Sequence, residues 1–262
     1  PDQITKRENV PPTLASPPPV PKPPEPKPEP KPVAKAVVAP PPPKPKPKRW
    51  SFEAQVGANL QYNQQDVEVF YGHVLAKYDH TPFRALAEYH ANRGTLNGVV
   101  SANNMDGLVR LEYDLSKKVF LFNATTAAYD EIRKLDLQYD ESIGVGYKWL
   151  TRTNMTLSSD VGANYQKQFF SDDAEQEFYS ARLGETFSWK ITKRVSFDNR
   201  AEILLRDVDI NNYQFRVEGT LSYLFSDHLT FNIGVIDLYD TRPAAGITPN
   251  DLQIRTSVGV KF

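Results

Sequence analysis

The chain has 262 residues, with 31 Lys/Arg against 32 Asp/Glu, 22 prolines and no cysteine. Without cysteine there is no disulfide frame, no thiolate metal site and no lipidated N-terminal Cys. No apolar run approaches the ~20 residues that a membrane-crossing helix needs, which excludes helical membrane proteins but not strands, because a membrane strand buries only every second residue.

The near-neutral total conceals two unlike parts. Residues 1–49 hold 19 of the 22 prolines and ten Lys/Arg against four Asp/Glu, a net of +6, and residues 50–262 carry the compensating −7. The first part has too few large apolar residues to offset the entropy of ordering, so a disordered or polyproline II arm is expected, reaching on the order of 150 Å if fully extended. Its Lys22, Lys27, Lys31, Lys35, Lys44, Lys46, Lys48 and Arg49 suit carboxylate-rich cell-wall polymer (peptidoglycan), anionic lipid or a periplasmic or outer-membrane protein complex. A solubilising spacer is the plainer reading. Val33–Ala39 is the arm's one apolar island and could dock as an added strand on a partner. Pro1 follows neither Met nor a signal peptide, which reads as processing or trimming. Nucleic acid is not an expected partner.

From Trp50 the pattern changes to period 2. Trp50, Phe52, Ala54, Val56, Ala58, Leu60 and Tyr62 alternate with Ser51, Glu53, Gln55, Gly57, Asn59, Gln61 and Asn63. The alternation returns in Leu137, Tyr139, Ile143, Val145, Tyr147 and Trp149, with Glu141 as a mismatch, and again from Tyr179 to Trp189, from Tyr213 to Tyr223 and from Leu252 to Phe262. Twelve strands are predicted, roughly 50–63, 67–78, 83–92, 102–114, 119–130, 136–149, 155–168, 177–190, 195–206, 211–224, 229–239 and 251–262. Parity stays open in the second, where Phe70/Val74 compete with Tyr71/Leu75, and in the fifth, where Phe120/Phe122 compete with Val119/Leu121.

An aromatic residue precedes a short polar stop at Tyr78, Tyr113, Trp149, Trp189 and Tyr223, spaced 35, 36, 40 and 34 residues apart, and Phe262 lies 39 further on. A repeat of that length holding two alternating runs is one long β-hairpin. With Trp50, these rings stand at the same end of every hairpin, as a girdle at a membrane surface requires. The expected strands of about 10–14 residues exceed the usual 5–6 and match a tilted membrane strand. Twelve strands would also leave a bore too wide for an apolar lining to fill. The opposite face mixes small polar residues with Arg182, Lys190, Asp198, Arg200, Glu202, Arg216, Glu218, Arg255 and Lys261, as a polar lumen would. The expected fold is an all-β, antiparallel up-and-down transmembrane barrel in contact with outer-membrane lipid. A soluble sandwich or lipocalin-like barrel is the alternative. The five stops should be periplasmic turns; the longer connections, at Arg93–Ser101, Phe170–Gln176 and Thr241–Asn250, should face outward, leaving the arm in the periplasm.

Lys118-Val-Phe-Leu-Phe-Asn123, Tyr129-Asp-Glu131, Gly144-Val-Gly-Tyr147 and Asp160-Val-Gly-Ala-Asn-Tyr165 resemble the middle of the salt-induced outer-membrane protein family. Trp189-Lys-Ile-Thr-Lys-Arg-Val-Ser-Phe197 and Ser257-Val-Gly-Val-Lys-Phe262 extend the likeness to about residues 50–262. The resemblance implies an outer-membrane barrel of a Gram-negative-type envelope, with no assigned activity and no catalytic residues to carry over. Phe262, with alternating apolar residues behind it, also resembles the signal read by the barrel-assembly machinery. The arm's composition is similar to the periplasmic spacer of TonB-type energy transducers.

No catalytic, cofactor or metal site is expected. His80 and His228 read as turn residues. His73 and His90 fall on neighbouring strands near Glu88 and Tyr71, and a hydrolase would need an activated serine beside them, for which Ser101 is the candidate. Asp172, Asp173 and Glu175 could attract Ca²⁺ but lack a Gly-turn framework and read as a solvated acidic loop. The lumen charges either form a transverse field in a conducting bore or pair with one another and fill it, Asp198, Arg200 and Glu202 against Arg216 and Glu218. The functional expectation is a structural barrel tethered to cell wall or complex, with a small-solute diffusion channel as the alternative and an envelope hydrolase as a poor third.

Overall fold

Alternating apolar and polar residues can satisfy both the backbone and two unlike solvents only as strands in a closed ladder, because every N–H and C=O then has a neighbour. The computed structural model describes residues 49–61, 66–243 and 248–262, residues 60 and 61 by backbone alone. It contains twelve strands: β1 Trp50–Gln61, β2 Val67–His80, β3 Phe83–Leu96, β4 Val99–Asp114, β5 Val119–Asp130, β6 Leu135–Arg152, β7 Met155–Phe170, β8 Glu175–Lys190, β9 Val195–Arg206, β10 Tyr213–Leu224, β11 Leu229–Asp240 and β12 Asn250–Lys261. Each pairs antiparallel with its sequence neighbours, and β1 pairs with β12 to close the barrel. The arm residues expected to be disordered or polyproline, 1–48, lie outside the described residues, as do Tyr62 and Asn63 of the first expected strand.

The closing seam differs from the rest. Its register covers Glu53–Val56 against 258–261, reinforced by Phe262 N donating to Phe52 O at 2.9 Å and Phe52 N donating to Phe262 O at 3.2 Å. Every other pair of neighbours is registered over most of its length.

The two open parities resolve in opposite ways. In β2, Phe70 and Val74 point outward, each 52% exposed, and Tyr71 and Leu75 point in. In β5, Leu121 is outside while Phe120 and Phe122 are buried inside, 1% and 2% exposed. Those two rings enter the bore because β6 makes room for them. Phe120 pairs with Gly146 and Phe122 with Gly144. A Cβ on Gly146 would lie 2.1 Å from the Phe120 ring, and one on Gly144 would lie 2.2 Å from the Val161 carbonyl oxygen and 2.7 Å from the Phe122 ring. Ring against glycine across a ladder is a packing unit in which the missing side chain is the aromatic's seat.

One expected external loop does not exist. Arg93–Ser101 continues β3 and β4 up to a two-residue turn, Asn97-Gly98, with φ of 52° and 78°. Asn-Gly with both residues left-handed is the strongest short-range hairpin signal, and that turn chemistry governs the segment. The connections expected over Phe170–Gln176 and Thr241–Asn250 are present as residues 171–174 and 241–249.

Substituting Gly146→Val should destabilise the barrel by about 1–3 kcal/mol through overpacking. Phe120→Ala in the same chain should recover much of that loss. Gly144→Val should not be recovered by Phe122→Ala, since its clash includes backbone. Urea unfolding in lipid vesicles, followed by tryptophan fluorescence, measures all four.

Candidate functional site

Outside the barrel the surface is mainly apolar and banded, with Glu141, Glu185 and Asp237 on the same parity. Val56 is 70% exposed, Ile143 64% and Leu183 47%. The outward rings Trp50, Tyr78, Tyr113, Trp149, Trp189, Tyr223 and Phe262 lie at the end of the barrel carrying the short turns, and Trp50 packs on Tyr78 at 4.8 Å and Trp149 on Tyr147 at 4.7 Å. A second outward ring, missed by the sequence reading, is formed by Tyr139, Tyr165, Tyr179, Tyr213 and Tyr239. Tyr139 to Trp149, Tyr179 to Trp189 and Tyr213 to Tyr223 each span ten residues, about 33 Å along a strand and about 25 Å across at the usual barrel tilt, the height of a membrane's apolar band. The mismatch residue Glu141 sits just inside this second ring, where Asn123 Nδ2, Thr125 Oγ1 (2.7 Å) and Tyr139 OH (2.8 Å) all donate to its carboxylate.

Inside, the polar face forms a layered bore. All nine charges expected on the polar face lie on the inward parity, and they are joined by others that the sequence reading did not single out. Arg182 holds Asp160 at 3.2 Å and Glu202 at 2.7 Å, and Asp160 also binds Arg110 at 2.9 Å. Arg206, 2% exposed, clamps Asp240 with both guanidinium nitrogens at 3.0 Å. Asp198 accepts from Ser188 at 2.7 Å, Lys261 pairs with Glu53 at 3.4 Å, and Lys190 is exposed at the short-turn rim. Arg255 donates to Gln253 and stacks over Tyr71 at 5.4 Å. The buried rings join this layer: the Arg110 guanidinium lies 4.3 Å from the Phe122 centroid and Arg84 5.2 Å from that of Phe120.

The expected ladder along β9 and β10 is only half the arrangement. Arg216 does pair with Glu218 on its own strand. Yet Arg200 on β9 donates to Glu88 on β3 at 2.9 Å, and Arg216 on β10 lies 3.6 Å from Asp106 on β4. In a ring of twelve, β9 and β3 stand diametrically opposite, as do β10 and β4. These ion pairs therefore cross the bore. A cavity of about 220 Å³ remains at their level, and a larger one of about 620 Å³, lined by Asn59, Tyr71, Asn92, Arg133 and Gln253, lies towards the long-loop end. Arginine makes this possible because its long stem carries a permanently charged guanidinium well out from the wall.

The histidines separate into two kinds. His80 stacks on Tyr78, and His228 donates Nδ1 to Lys261 O at 2.9 Å with its ring on Phe262, both at the short-turn end. His73 and His90 face each other across β2 and β3 inside the bore, stacked at 4.4 Å. Their polar partners are carboxylates: His73 Nε2 is 2.9 Å from Glu88 Oε1, and His90 Nδ1 is 3.0 Å from Asp106 Oδ2. His73, Glu88 and His90 present three donor atoms within 4.8 Å of one another, the one such group among the described residues. Of the acidic loop, Glu175 is taken by Lys167 at 2.9 Å.

An apolar belt between two aromatic rings, around a bore lined by charge, defines an outer-membrane β-barrel. Residues 54–262 match the model of the DUF481 family, described as proteins of unknown function, and the chain belongs to that family. No curated protein matches the chain in sequence. Among solved structures it is similar to the NanC porin (9% identity, TM-score 0.45, 80% of this chain and 97% of that one). It is also similar to the translocator domain of the autotransporter NalP from Neisseria meningitidis (10%, TM-score 0.47, 83% and 89%) and to an outer-membrane channel from Pseudomonas putida F1 (9%, TM-score 0.46, 86% and 98%).

Leu183→Arg, in the middle of the belt, should cost about 2–4 kcal/mol of barrel stability in vesicles. Thr186→Arg, on the inner face of the same strand, should cost less, because its charge meets water in the bore even with Arg200 as its cross-strand neighbour. Urea unfolding of the two variants measures the difference.

Proposed function

We propose that the barrel is a diffusion pathway for small polar solutes, held narrow by a transverse latch of ion pairs. The observation that carries this reading is the Arg200–Glu88 contact between opposite walls, with Arg216–Asp106 beside it. Among the described residues the obstruction is made of side chains, which move far more readily than a folded plug. Arg200 and Arg216 keep side-chain exposures of 30% and 33%, so water already reaches them. Mixed charge on facing walls supplies a field that orients dipolar solutes as they pass.

In planar bilayers the full chain should show small, discrete conductance steps. The double variant Arg200→Ala/Arg216→Ala should conduct several times more. Silence of both at high salt would sink the channel reading. Screening lengths fall from about 10 Å at 0.1 M to about 3 Å at 1 M, so wild-type conductance should rise faster with salt than that of the bulk electrolyte.

A second reading rests on a different observation, the +6 charge and 19 prolines of residues 1–49. In it the arm lies in the periplasm and tethers the barrel to peptidoglycan or an envelope complex, and Phe262 is the element that the assembly machinery reads. The full chain should pellet with purified peptidoglycan and a chain lacking residues 1–49 should not; equal pelleting ends the tether.

A further inference from the structure

We propose that His73, Glu88 and His90 form a binding site for a divalent transition-metal ion, Zn²⁺ foremost, in the wall of the bore. The argument begins with register. His73 on β2 and His90 on β3 are directly paired and point inward, and Glu88 lies two residues before His90 on the same face. A hairpin therefore delivers two imidazoles and a carboxylate to one point with no contribution from a loop, which is the rigid kind of support that a metal site needs.

Tautomer chemistry then singles the point out. Asp106 on β4 is a carboxylate and can only accept, so His90 Nδ1, 3.0 Å away, carries the proton. In the neutral ring Nε2 is then a bare lone pair, and it faces Glu88 Oε1 at 3.6 Å, acceptor against acceptor. Such a contact is favourable only with a proton or a metal ion between the two atoms, and a metal ion would likewise take the place of the proton through which His73 Nε2 reaches Glu88 Oε1 at 2.9 Å. The Asp106–His90 contact is also the carboxylate–histidine support that orients a ligating imidazole.

The spacing suits zinc. Four ligands at about 2.0–2.1 Å from a tetrahedral ion stand about 3.3 Å apart. The observed separations from Glu88 Oε1, 2.9 Å to His73 Nε2 and 3.6 Å to His90 Nε2, bracket that edge. Two nitrogens and one oxygen exclude Ca²⁺ and Mg²⁺, which want six or more oxygens. The fourth position would belong to water or solute.

The surroundings tolerate the charge. Glu88, Asp106 and Glu218 meet Arg200 and Arg216 in one network, which leaves a surplus carboxylate, and the next guanidinium, Arg255, is engaged by Gln253 and the Tyr71 ring. Glu88 would keep Arg200 on Oε2 while giving Oε1 to the ion. The site therefore shares its carboxylate with the cross-bore latch, and a bound ion would stiffen that latch. Binding itself does not depend on whether the barrel conducts.

The test is calorimetric titration of ZnCl₂ into the detergent-solubilised full chain, purified without a histidine tag. One saturable equivalent is expected, unaffected by excess Mg²⁺, and Co²⁺ in its place should give the visible absorption bands of a four-coordinate nitrogen/oxygen site. His73→Ala and His90→Ala should each abolish the site, and Asp106→Asn should weaken it about 10–100-fold. His80→Ala/His228→Ala should leave it intact. Heat-shifted electrophoretic mobility identifies the variants that have folded. No isotherm with the folded wild type, or an isotherm that survives in folded His73→Ala or His90→Ala, would overturn the assignment.

Discussion

Closure of the backbone ladder is the constraint on which everything else in this molecule rests. In hydrocarbon no solvent satisfies a free N–H or C=O, so the strands must pair in an unbroken ring. Once they do, each strand shows one face to lipid and one to the bore, and the residues on the two faces are selected independently. The weakest link in that ring is the β1–β12 seam, registered over Glu53–Val56 and held by the reciprocal Phe52–Phe262 backbone bonds. Phe262 thus has a structural place whether or not it is also read as an assembly signal.

The bore shows how a barrel of this size avoids being merely hollow. Rings and charges share the work. Phe120 and Phe122 fill space above glycines and lend their faces to Arg84, Arg110 and Arg182. Arg206 is buried almost completely yet holds a bidentate carboxylate, so its charge is compensated where water cannot help. Across the middle, Arg200 and Arg216 join walls that no backbone contact joins. Packing by paired charge is a costlier way to fill a space than packing by apolar groups, and it leaves an interior that water and ions can reopen. That property is the one on which the proposed diffusion pathway rests.

Legibility differed from element to element for physical reasons. Where one face was purely apolar, as from Trp50 to Leu60 or Tyr213 to Tyr223, strand and parity could be read directly. In β5 both faces are apolar, Phe120/Phe122 on one and Val119/Leu121 on the other, and only the glycines of the neighbouring strand decide that the rings go inside. Asn97-Gly98 carries the signature of a two-residue hairpin turn, which the longer connection expected at Arg93–Ser101 left out. The Arg182 to Lys261 charges could be assigned to the inner face from alternation alone. The partners of Arg200 and Arg216 could not, because Glu88 and Asp106 are more than a hundred residues away in sequence and become neighbours only when the sheet curls through half a circle.

From its own pattern the chain determines twelve alternating runs, the girdle residue of each hairpin and a basic, proline-rich leader, since period, ring placement and charge are local properties. The tertiary structure decides what meets across the bore: which rings enter it, which guanidinium finds which carboxylate, and that His73, Glu88 and His90 converge. The rings and the histidine cluster are matters of register between neighbouring strands, whereas the ion pairs that cross the bore exist only once the first strand has paired with the last.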